Sequence, residues 1–569
     1  MRQFFYLVLN RFFPRVVSLL WLFFLTGEMM SQNSDAPAEV STTIYIRDVF
    51  VIQKPGMAPE KTNLLLKNGL IENIGKSIKP APEAIIMPGD SLYVYAGFID
   101  AFSHTGVVKP ENKDQPKITD PGNPPNDIAG ITPQRSAAEV YKSVDKSVSE
   151  LRSMGFTTAH VAPRGLMLPG QSAIFLLHEG ETDAMIVKKN TGMVTQFTTN
   201  RGTYPSTVIG VMAKFRELYK NAEILGQSSD HYQLNPAGLQ RPLIKKEEEA
   251  LIPVARKKMP VYFVTSTTNQ MYRSIQLQKE LGFSMVLTDV KQGFDMIEDL
   301  KKINAQYILS LELPEEKKEA KEDKDKQEIP KTEEEKTFEE KRNQSYQKYV
   351  GQAAVFEKAG IPFSFSSLSV KTGDIHKNLR RMVKGGLSEK AALEALTTTP
   401  ASLLGVSGMM GTVEKGKLAN FVITDKPFFD EKSKIKYVFI EGKKYDFPSK
   451  PEKPEGEGGE KSKLSGTWSF TVEAGTENYT GTMSISGNGN QYNISVTPDS
   501  NPNQPESAFD IVVKENNIRF SVTANENSQT VTYEFDLFFD TNTFKGNVAV
   551  EEMGSFTITG ELKSPPKSK

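Results

Sequence analysis

The sequence predicts an α/β protein built around a TIM-like (β/α)8 barrel and ending in a separate antiparallel β-barrel. Three observations predict this fold class. Between residues 97 and 407, apolar runs of strand length alternate with amphipathic segments of helix length, which is typical of βα units around a parallel sheet. Residues 42–96 contain several short strand-like runs, and the chain beyond residue 464 is almost purely β.

Length and composition narrow the function classes before any motif is considered. The chain has 569 residues, 38% of them hydrophobic, which is enough for roughly three or four domains. Lys and Arg number 69 against 70 Asp and Glu, so the sequence predicts no nucleic-acid partner. Cysteine is absent, which excludes disulfides, thiolate zinc sites and thiol catalysis.

The N-terminal segment has the pattern of a secretory signal. Arg2, Arg11 and Arg15 precede an apolar run over residues 16–25, which is too short to span a bilayer comfortably. We predict a signal peptide over residues 1–31 and a periplasmic or secreted protein, with an uncleaved membrane anchor as the alternative. The sequence predicts no other integral membrane segment.

The N-terminal β-rich region and the alternating region can be divided into individual elements. Strand-like runs cover residues 42–46, 49–52 and 63–66, and residues 69–75 form a further hairpin-like pair. In the alternating region, strands are predicted at 157–161, 261–264, 285–287 and 307–310, and helices over 138–154 and 271–281. About 300 residues of such units fit an eight-fold barrel better than an open sheet.

Two compositional breaks interrupt this pattern. Residues 315–342 are dense in Lys and Glu, and we interpret them as a solvated insertion, partly helical through Glu/Lys pairs, rather than a docking tail. Residues 449–463 are rich in Pro, Glu and Gly, which is typical of a linker.

Residues 464–563 are predicted to form a closed antiparallel meander barrel, because short, evenly spaced strands with small turns favour that fold. The motif Gly466-Thr467-Trp468 resembles the start of lipocalin-like barrels, and we expect Trp468 to fill the barrel floor. Eight strands are predicted to start near Thr467, Asn478, Gln491, Ala508, Asn517, Thr530, Asn542 and Gly554.

One segment carries a family resemblance. The run Gly97-Phe98-Ile99-Asp100-Ala101-Phe102-Ser103-His104 resembles the Gly-Phe-Ile-Asp-x-His-x-His signature that opens the barrel of the amidohydrolase superfamily, which includes imidazolonepropionase and dihydroorotase. Residues 155–158, 387–397, 401–405 and 411–422 continue the resemblance, which spans about residues 42–445. It implies a composite β-sandwich domain formed by residues 42–96 and 408–448, together with a barrel over residues 97–407.

The resemblance also implies a metal site, and the residues at its positions depart from the family pattern. The family draws ligands from paired histidines after the first strand, from histidines after the fifth and sixth, and from an aspartate after the eighth. Phenylalanine and leucine cannot bind a metal, so we expect no metal. His104 is the residual candidate, and together with Asp289 it could form half a site. The corresponding residues here are Phe102 and His104, Thr265, Thr288 with the adjacent Asp289, and Leu368.

The scarcity of histidine supports this interpretation. The chain has five, none of them between His231 and His376. We interpret His160 at the end of the second barrel strand, His178 near a turn, His231 in a polar loop and His376 at a helix start as structural. A triad of a serine with His104 and Asp289 is conceivable, but the sequence contains no Gly-x-Ser-x-Gly motif.

The resulting hypothesis is an exported, catalytically degenerate amidohydrolase-like protein, a pseudoenzyme that acts as a scaffold or regulatory subunit for an active amidohydrolase-family partner. One alternative is an active hydrolase of C–N bonds, such as cyclic amides, with a remodelled one-metal zinc site around His104. Another is a periplasmic ligand-binding protein. The residues favour a non-enzyme and leave the question open.

Overall fold

The computed structural model describes residues 43–109, 118–316, 332–447 and 464–564, apart from gaps at 475–476, 489–490, 503, 515, 527–528 and 551–553. The chain divides into two compact units, Met1–Lys450 and Pro451–Lys569. The predicted signal peptide and linker lie outside the described residues. Within the described ranges, no helix is long and apolar enough to cross a membrane.

The first unit contains two sheets with the helices between their strands. The strands are β1 (Ile44–Val51), β2 (Glu60–Lys67), β3 (Leu70–Ile74), β4 (Ile85–Pro88), β5 (Tyr93–Ala96), β6 (Phe98–Ser103), β7 (Phe156–Val161), β8 (Gly170–Leu176), β9 (Ile186–Gln196), β10 (Val261–Val264), β11 (Met285–Val290), β12 (Ala305–Ser310), β13 (Phe363–Ser366), β14 (Phe421–Thr424), β15 (Ile435–Ile440) and β16 (Lys443–Asp446). The helices are α1 (Ala137–Val140), α2 (Lys146–Ser153), α3 (Val208–Leu234), α4 (Lys246–Ala255), α5 (Thr268–Leu281), α6 (Ile297–Leu300), α7 (Glu333–Lys358), α8 (Ile375–Lys384), α9 (Glu389–Leu396) and α10 (Thr398–Leu403), with 3-10 turns at Thr182–Met185 and Thr372–Asp374.

The first sheet joins strands that precede the barrel in the sequence to strands that follow it. Its order is β16-β15-β14-β5-β1-β2-β3, and β4 also pairs with β1. The joint is the antiparallel pair β5–β14, next to which the backbone N–H of Phe428 donates to Tyr95 Oη over 3.1 Å. Strands separated by the whole barrel therefore share one hydrogen-bonded sheet.

The hairpin β2–β3 follows from its turn residues. Asn68 and Gly69 both have positive φ, 53° and 75°, and an Asn-Gly pair with positive φ at both positions is the preferred two-residue hairpin turn. The strands predicted separately over 42–46 and 49–52 form the single strand β1. Its register against β2 shifts between Ile46 and Val49, where Asp48 has φ 58°.

The second sheet is the predicted barrel. Its order is β13-β12-β11-β10-β9-β8-β7-β6, and β6 lies next to β13, so the sheet is nearly closed. Seven strands are parallel, but β8 is antiparallel to both β7 and β9. The connection from Val161 to Gly170 is too short for the helical crossover that a parallel strand needs. The barrel therefore departs at this strand from a regular (β/α)8 pattern.

One helix prediction needs correction and one is confirmed. The single helix predicted over 138–154 is two short helices, because the chain leaves α1 at Tyr141 and α2 begins at Asp145, whose carboxylate accepts from Ser147 N over 2.9 Å. The helix predicted over 271–281 is present as α5. In the charged stretch 315–342, residues 317–331 lie outside the described ranges, and from Glu333 the chain is helical in α7. The described part of the insertion is therefore helical, in agreement with the predicted partly helical character.

The second unit is the predicted antiparallel barrel, and the prediction is confirmed. Its strands are consecutive and the sheet closes β24 onto β17. The Trp468 side chain is fully buried, donates to Leu464 O over 3.1 Å and packs on the Phe539 and Phe544 rings. The strands are β17 (Gly466–Ala474), β18 (Glu477–Asn488), β19 (Gln491–Pro498), β20 (Glu506–Lys514), β21 (Asn517–Glu526), β22 (Gln529–Asp540), β23 (Thr543–Val550) and β24 (Gly554–Ser564).

Candidate functional site

The carboxyl ends of the parallel barrel strands bring the predicted site residues to one end of the barrel. His104 follows β6, Thr265 follows β10, Thr288 and Asp289 lie in β11, and Leu368 follows β13. Since carboxyl ends of parallel barrel strands meet at one face, these residues share the barrel mouth. Their surroundings determine what chemistry each can perform.

The barrel interior below the mouth is filled by rings. Phe102 is fully buried, its ring stacks on Tyr262 with centroids 5.8 Å apart, and the His160 ring meets it edge-on at 5.8 Å. Leu368 is half-buried and packs against the same cluster. We call Phe102, Tyr262 and His160 the aromatic plug. These contacts account for Phe102 and Leu368 as packing residues.

Both nitrogens of His160 have hydrogen-bond partners. Nδ1 lies 2.9 Å from the carbonyl oxygen of Ala101, and Nε2 lies 2.8 Å from the hydroxyls of Ser172 and Thr191. A carbonyl only accepts, so Nδ1 carries the proton and Nε2 is an acceptor within hydrogen-bond distance of both hydroxyls. Burial lowers the pKa of His160 to about 4. This histidine is therefore neutral near pH 7 and hydrogen-bonded on both sides.

His104 has one nitrogen engaged and one open. Its Nδ1 donates to Ala162 O over 2.8 Å, which leaves Nε2 as the unprotonated nitrogen. Burial lowers the pKa of His104 to about 4. No described residue hydrogen-bonds to Nε2. His104 could thus serve as a single nitrogen ligand or acceptor.

Asp100 holds two loops together and takes no part in the mouth chemistry. Oδ1 accepts from the backbone N–H groups of Phe102 and Ser367, over 3.3 and 3.0 Å, and Oδ2 accepts from the Ser367 hydroxyl. Burial raises the pKa of Asp100 to about 6. Its carboxylate therefore joins the loop after β6 to the loop after β13.

Asp289 has an unusual conformation. It has φ 54°, and the pairing of β11 with β12 shifts register between Leu287 and Val290. Oδ2 accepts from Ser369 Oγ over 2.6 Å and lies 3.7 Å from Lys291 Nζ, whereas Oδ1 is buried without a partner among the described residues. Sequence reasoning missed Lys291 and Ser369. A charged residue just past a barrel strand was the signal for Lys291, and no signal marked Ser369.

The two threonines at the ligand positions are buried in the strand ends. Thr265 N donates to Thr288 O over 2.9 Å, and Thr288 Oγ1 donates to its neighbour Val286 O over 3.3 Å. Thr265 Oγ1 is buried and has no partner among the described residues. Neutral hydroxyls are weak substitutes for the imidazoles that bind divalent ions.

The comparisons place this architecture among known folds. Residues 266–445 match the model of the amidohydrolase family. The barrel has the amidohydrolase fold. An amidohydrolase from Thermotoga maritima MSB8 is 21% identical with a TM-score of 0.58, covering 71% of this chain and 100% of its own. An adenosine deaminase from Xanthomonas campestris with bound zinc is 12% identical with a TM-score of 0.39, covering 71% of this chain and 92% of its own. No curated protein sequence matches the chain.

The family match leaves out part of the candidate site. It begins at Ser266, so it contains the β11 and β13 positions but not the β6 segment with Phe102 and His104. The amidohydrolase signature at β6 is therefore supported by the fold and by the residues themselves.

The metal that the amidohydrolase fold implies does not fit the residues present. A divalent ion needs about three or four converging ligands. Within the described ranges, no three acidic or histidine side chains lie close enough together to hold one. Of the family positions, those of Phe102 and Leu368 supply no ligand atom. We therefore derive no catalytic step through a metal.

Proposed function

We propose that this chain is an exported, non-catalytic protein of amidohydrolase fold that acts as a scaffold or regulatory subunit for an active amidohydrolase-family partner. The observation that carries the proposal is the aromatic plug. Phe102 stands at a position where the family pattern has a metal-binding histidine, and its ring stacks on Tyr262 inside the barrel.

The environment of His160 supports the same conclusion. A general base needs a free lone pair near the reacting group, but the lone pair of His160 Nε2 is buried within 2.8 Å of the Ser172 and Thr191 hydroxyls. The surrounding fold remains intact, with a continuous composite sheet and a packed barrel core. Loss of catalytic groups from an intact fold is expected when the retained role is binding.

Metal content and partner capture test this proposal. The full chain is purified without chelators and its transition metals are measured by elemental analysis. We expect well under about 0.1 equivalents, since a genuine zinc site normally survives purification. Tagged chain recovered from its native cells should bring down an amidohydrolase-family protein in stoichiometric amount. About one equivalent of metal, or recovery of this chain alone, would count against the proposal.

Export is part of the proposal and has its own test. The N-terminal segment, with its basic start and apolar run, supports secretion. N-terminal sequencing of the protein from the periplasmic fraction should give a start near Gln32. Recovery of the intact N-terminus in the membrane fraction would indicate the uncleaved anchor instead.

The second candidate is an active hydrolase of C–N bonds with a one-metal zinc site around His104. Two observations favour it. His104 donates Nδ1–H to a backbone carbonyl, which is the usual way of orienting a metal-binding imidazole. Asp289 has a left-handed backbone and a buried oxygen with no partner in the part of the chain that the structure describes. This candidate predicts bound zinc and amide turnover, both lost in His104→Ala and retained in His231→Ala. His231 is the matched control because it is exposed in the last turn of α3, not in the polar loop that the sequence suggested.

A further inference from the structure

A groove at the rim of the barrel mouth has the composition of a ligand site. We propose that it binds a small ligand in which a carboxylate is joined to a flat aromatic group. The groove has a volume of about 360 Å3 and lies between α7, the loop after β11 and the start of α5. It is separate from the aromatic plug, and the proposal does not depend on the scaffold role.

Size and position favour a small molecule. Pockets that enclose drug-sized ligands measure roughly 300–1,000 Å3, so the groove is at the lower end of that range. The loop after β11 and the start of α5 both follow carboxyl ends of barrel strands, the end at which barrel proteins place their ligand sites.

One face of α7 forms the polar wall of the groove. The lining residues Lys341, Gln344, Ser345 and Lys348 recur at intervals of three and four, so they lie on one side of the helix. All four are exposed. A helix face packed on protein would carry apolar residues at these positions, so this face is suited to a polar ligand.

The aromatic part of the groove joins α7, through Tyr349, to the loop after β11, through Phe294, and is already organised. The Phe294 and Tyr349 rings meet edge-on with centroids 5.4 Å apart. Gln292 donates from Nε2 to Tyr349 Oη, and Thr268 Oγ1 donates to Gln292 O over 3.1 Å. A planar group can contact these rings without reorganising the walls, which lowers the entropic cost of binding.

The charge of the groove selects an anion. Lys348 pairs with Asp295 over 3.0 Å, and Lys348 Nζ also lies 5.8 Å from the centre of the Phe294 ring. Lys341 has no ion pair among the described residues. The groove thus contains two ammonium groups, of Lys341 and Lys348, and one carboxylate, of Asp295. It therefore offers one uncompensated positive charge close to its aromatic residues. A ligand with an aromatic ring and a carboxylate satisfies both features.

The test is a binding titration of the full chain with hippurate (N-benzoylglycine), followed by isothermal calorimetry. Hippuramide, which keeps the ring and replaces the carboxylate with a neutral amide, measures the contribution of charge. Three variants locate the site. Lys341→Gln removes the unpaired cation, Phe294→Ala removes the aromatic wall, and Lys336→Gln changes an exposed lysine of the same helix that lies outside the groove.

We expect saturable hippurate binding that is about two- to fivefold weaker in Lys341→Gln, the effect of losing roughly one exposed charge interaction. Lys336→Gln should bind like the unaltered chain. Hippuramide should bind more weakly than hippurate and be insensitive to Lys341→Gln, and Phe294→Ala should weaken both ligands. No saturable binding of hippurate overturns the proposal. Binding that persists unchanged in both Lys341→Gln and Phe294→Ala places the ligand elsewhere and also overturns it.

Discussion

At the scale of single residues, the barrel interior depends on side chains whose partners are fixed. Phe102 contacts two other rings, and His160 has a partner at each nitrogen. Buried groups of this kind are costly to remove because neighbours either lose contacts or are left without hydrogen bonds. Stability measurements on these residues therefore test the packing role directly.

Truncation of Phe102 should strongly destabilise the first unit. Phe102→Ala removes a fully buried ring, and such changes cost about 3–5 kcal/mol of unfolding free energy. Urea denaturation followed by far-ultraviolet circular dichroism measures the loss. Phe338→Ala, at a phenylalanine that is 67% exposed, should change stability little. A small effect at Phe102 would mean that the ring is not tightly packed and that the mouth is open.

Acid should destabilise the first unit through its buried histidines. His104 and His160 have pKa values lowered to about 4 from 6.5, so they stabilise the fold above pH 6.5 and lose that contribution as pH falls towards 4. Asp100 has its pKa raised from 3.8 to about 6, so its contribution is present below 3.8 and lost as pH rises through 6. Between pH 6 and 4, these three groups together make the unfolded chain bind about one more proton than the folded chain, two from the histidines less one from the aspartate. The lowered pKa values of His376 and Glu414 act in the same direction. Unfolding free energy should fall by roughly 1.4 kcal/mol per pH unit.

The variant Asp100→Asn isolates the opposing contribution. Without the aspartate, the free energy of unfolding should fall more steeply per pH unit between pH 6 and 4 than in the unaltered chain. The reason is that the opposing contribution of Asp100 is removed and that of the histidines remains. Urea denaturation at several pH values from 7 to 4 provides both slopes. Equal slopes would show that Asp100 titrates normally in the folded protein.

At the scale of elements, the sequence predicts the positions of most strands correctly but not the antiparallel direction of β8. Strand periodicity is local, so the eight strands of the second unit were predicted near their observed starts. The direction of β8 depends on the short connection from Val161 to Gly170, and the periodicity of an apolar run carries no information on direction. The break between α1 and α2 was missed because amphipathic spacing continues across it. Asp145 was the available signal, since aspartate favours the N-cap.

The candidate site was predictable by position but not by geometry. Family motifs placed Phe102, His104, Thr265, Thr288 and Leu368 at strand ends, and each lies at or just beyond one. The plug was not predictable, because Tyr262 and His160 reach Phe102 only through the closure of the barrel. The left-handed backbone of Asp289 was equally hidden, since nothing in its neighbourhood in the sequence requires it.

The hairpin turn of the composite sheet gives a prediction at this scale. Gly69 has φ 75°, and a Cβ there would lie 3.2 Å from Glu441 O. Gly69→Ala should therefore cost about 1 kcal/mol or more of unfolding free energy. Gly373→Ala is the matched control, because Gly373 lacks a positive φ and has nothing within 4 Å of the added carbon. Chemical denaturation measures the free energy of unfolding of both variants. Equal values would indicate that the turn relaxes to accommodate the added carbon.

At the scale of the whole molecule, the two units have separate hydrophobic cores. The sequence contains two tryptophans, Trp21 and Trp468. Trp21 lies in the predicted signal peptide, so a chain beginning at Gln32 has Trp468 alone. Because that ring is in the core of the second unit, its fluorescence reports the unfolding of that unit.

A core substitution in the second unit should shift the unfolding transition seen by Trp468 fluorescence and leave the transition seen by circular dichroism unchanged. Phe539 packs on Trp468 with ring centroids 4.8 Å apart, so Phe539→Ala should lower the midpoint of the fluorescence transition, by a loss of about 3–5 kcal/mol. The helical circular dichroism signal, which comes from the first unit, should keep its midpoint. Coincident shifts of both transitions would show that the units unfold as one.

The pairing of β5 with β14 also sets a delay during synthesis. Tyr95 hydrogen-bonds to Phe428, which lies 333 residues later in the sequence. A ribosome that adds about 5–20 residues per second needs roughly 20 to 70 seconds to synthesise the residues between them. Throughout this interval the nascent chain exposes an apolar strand edge whose partner does not yet exist. Interrupted translation products ending within the barrel should therefore depend on chaperones to stay in solution, whereas chains completed past β16 should not.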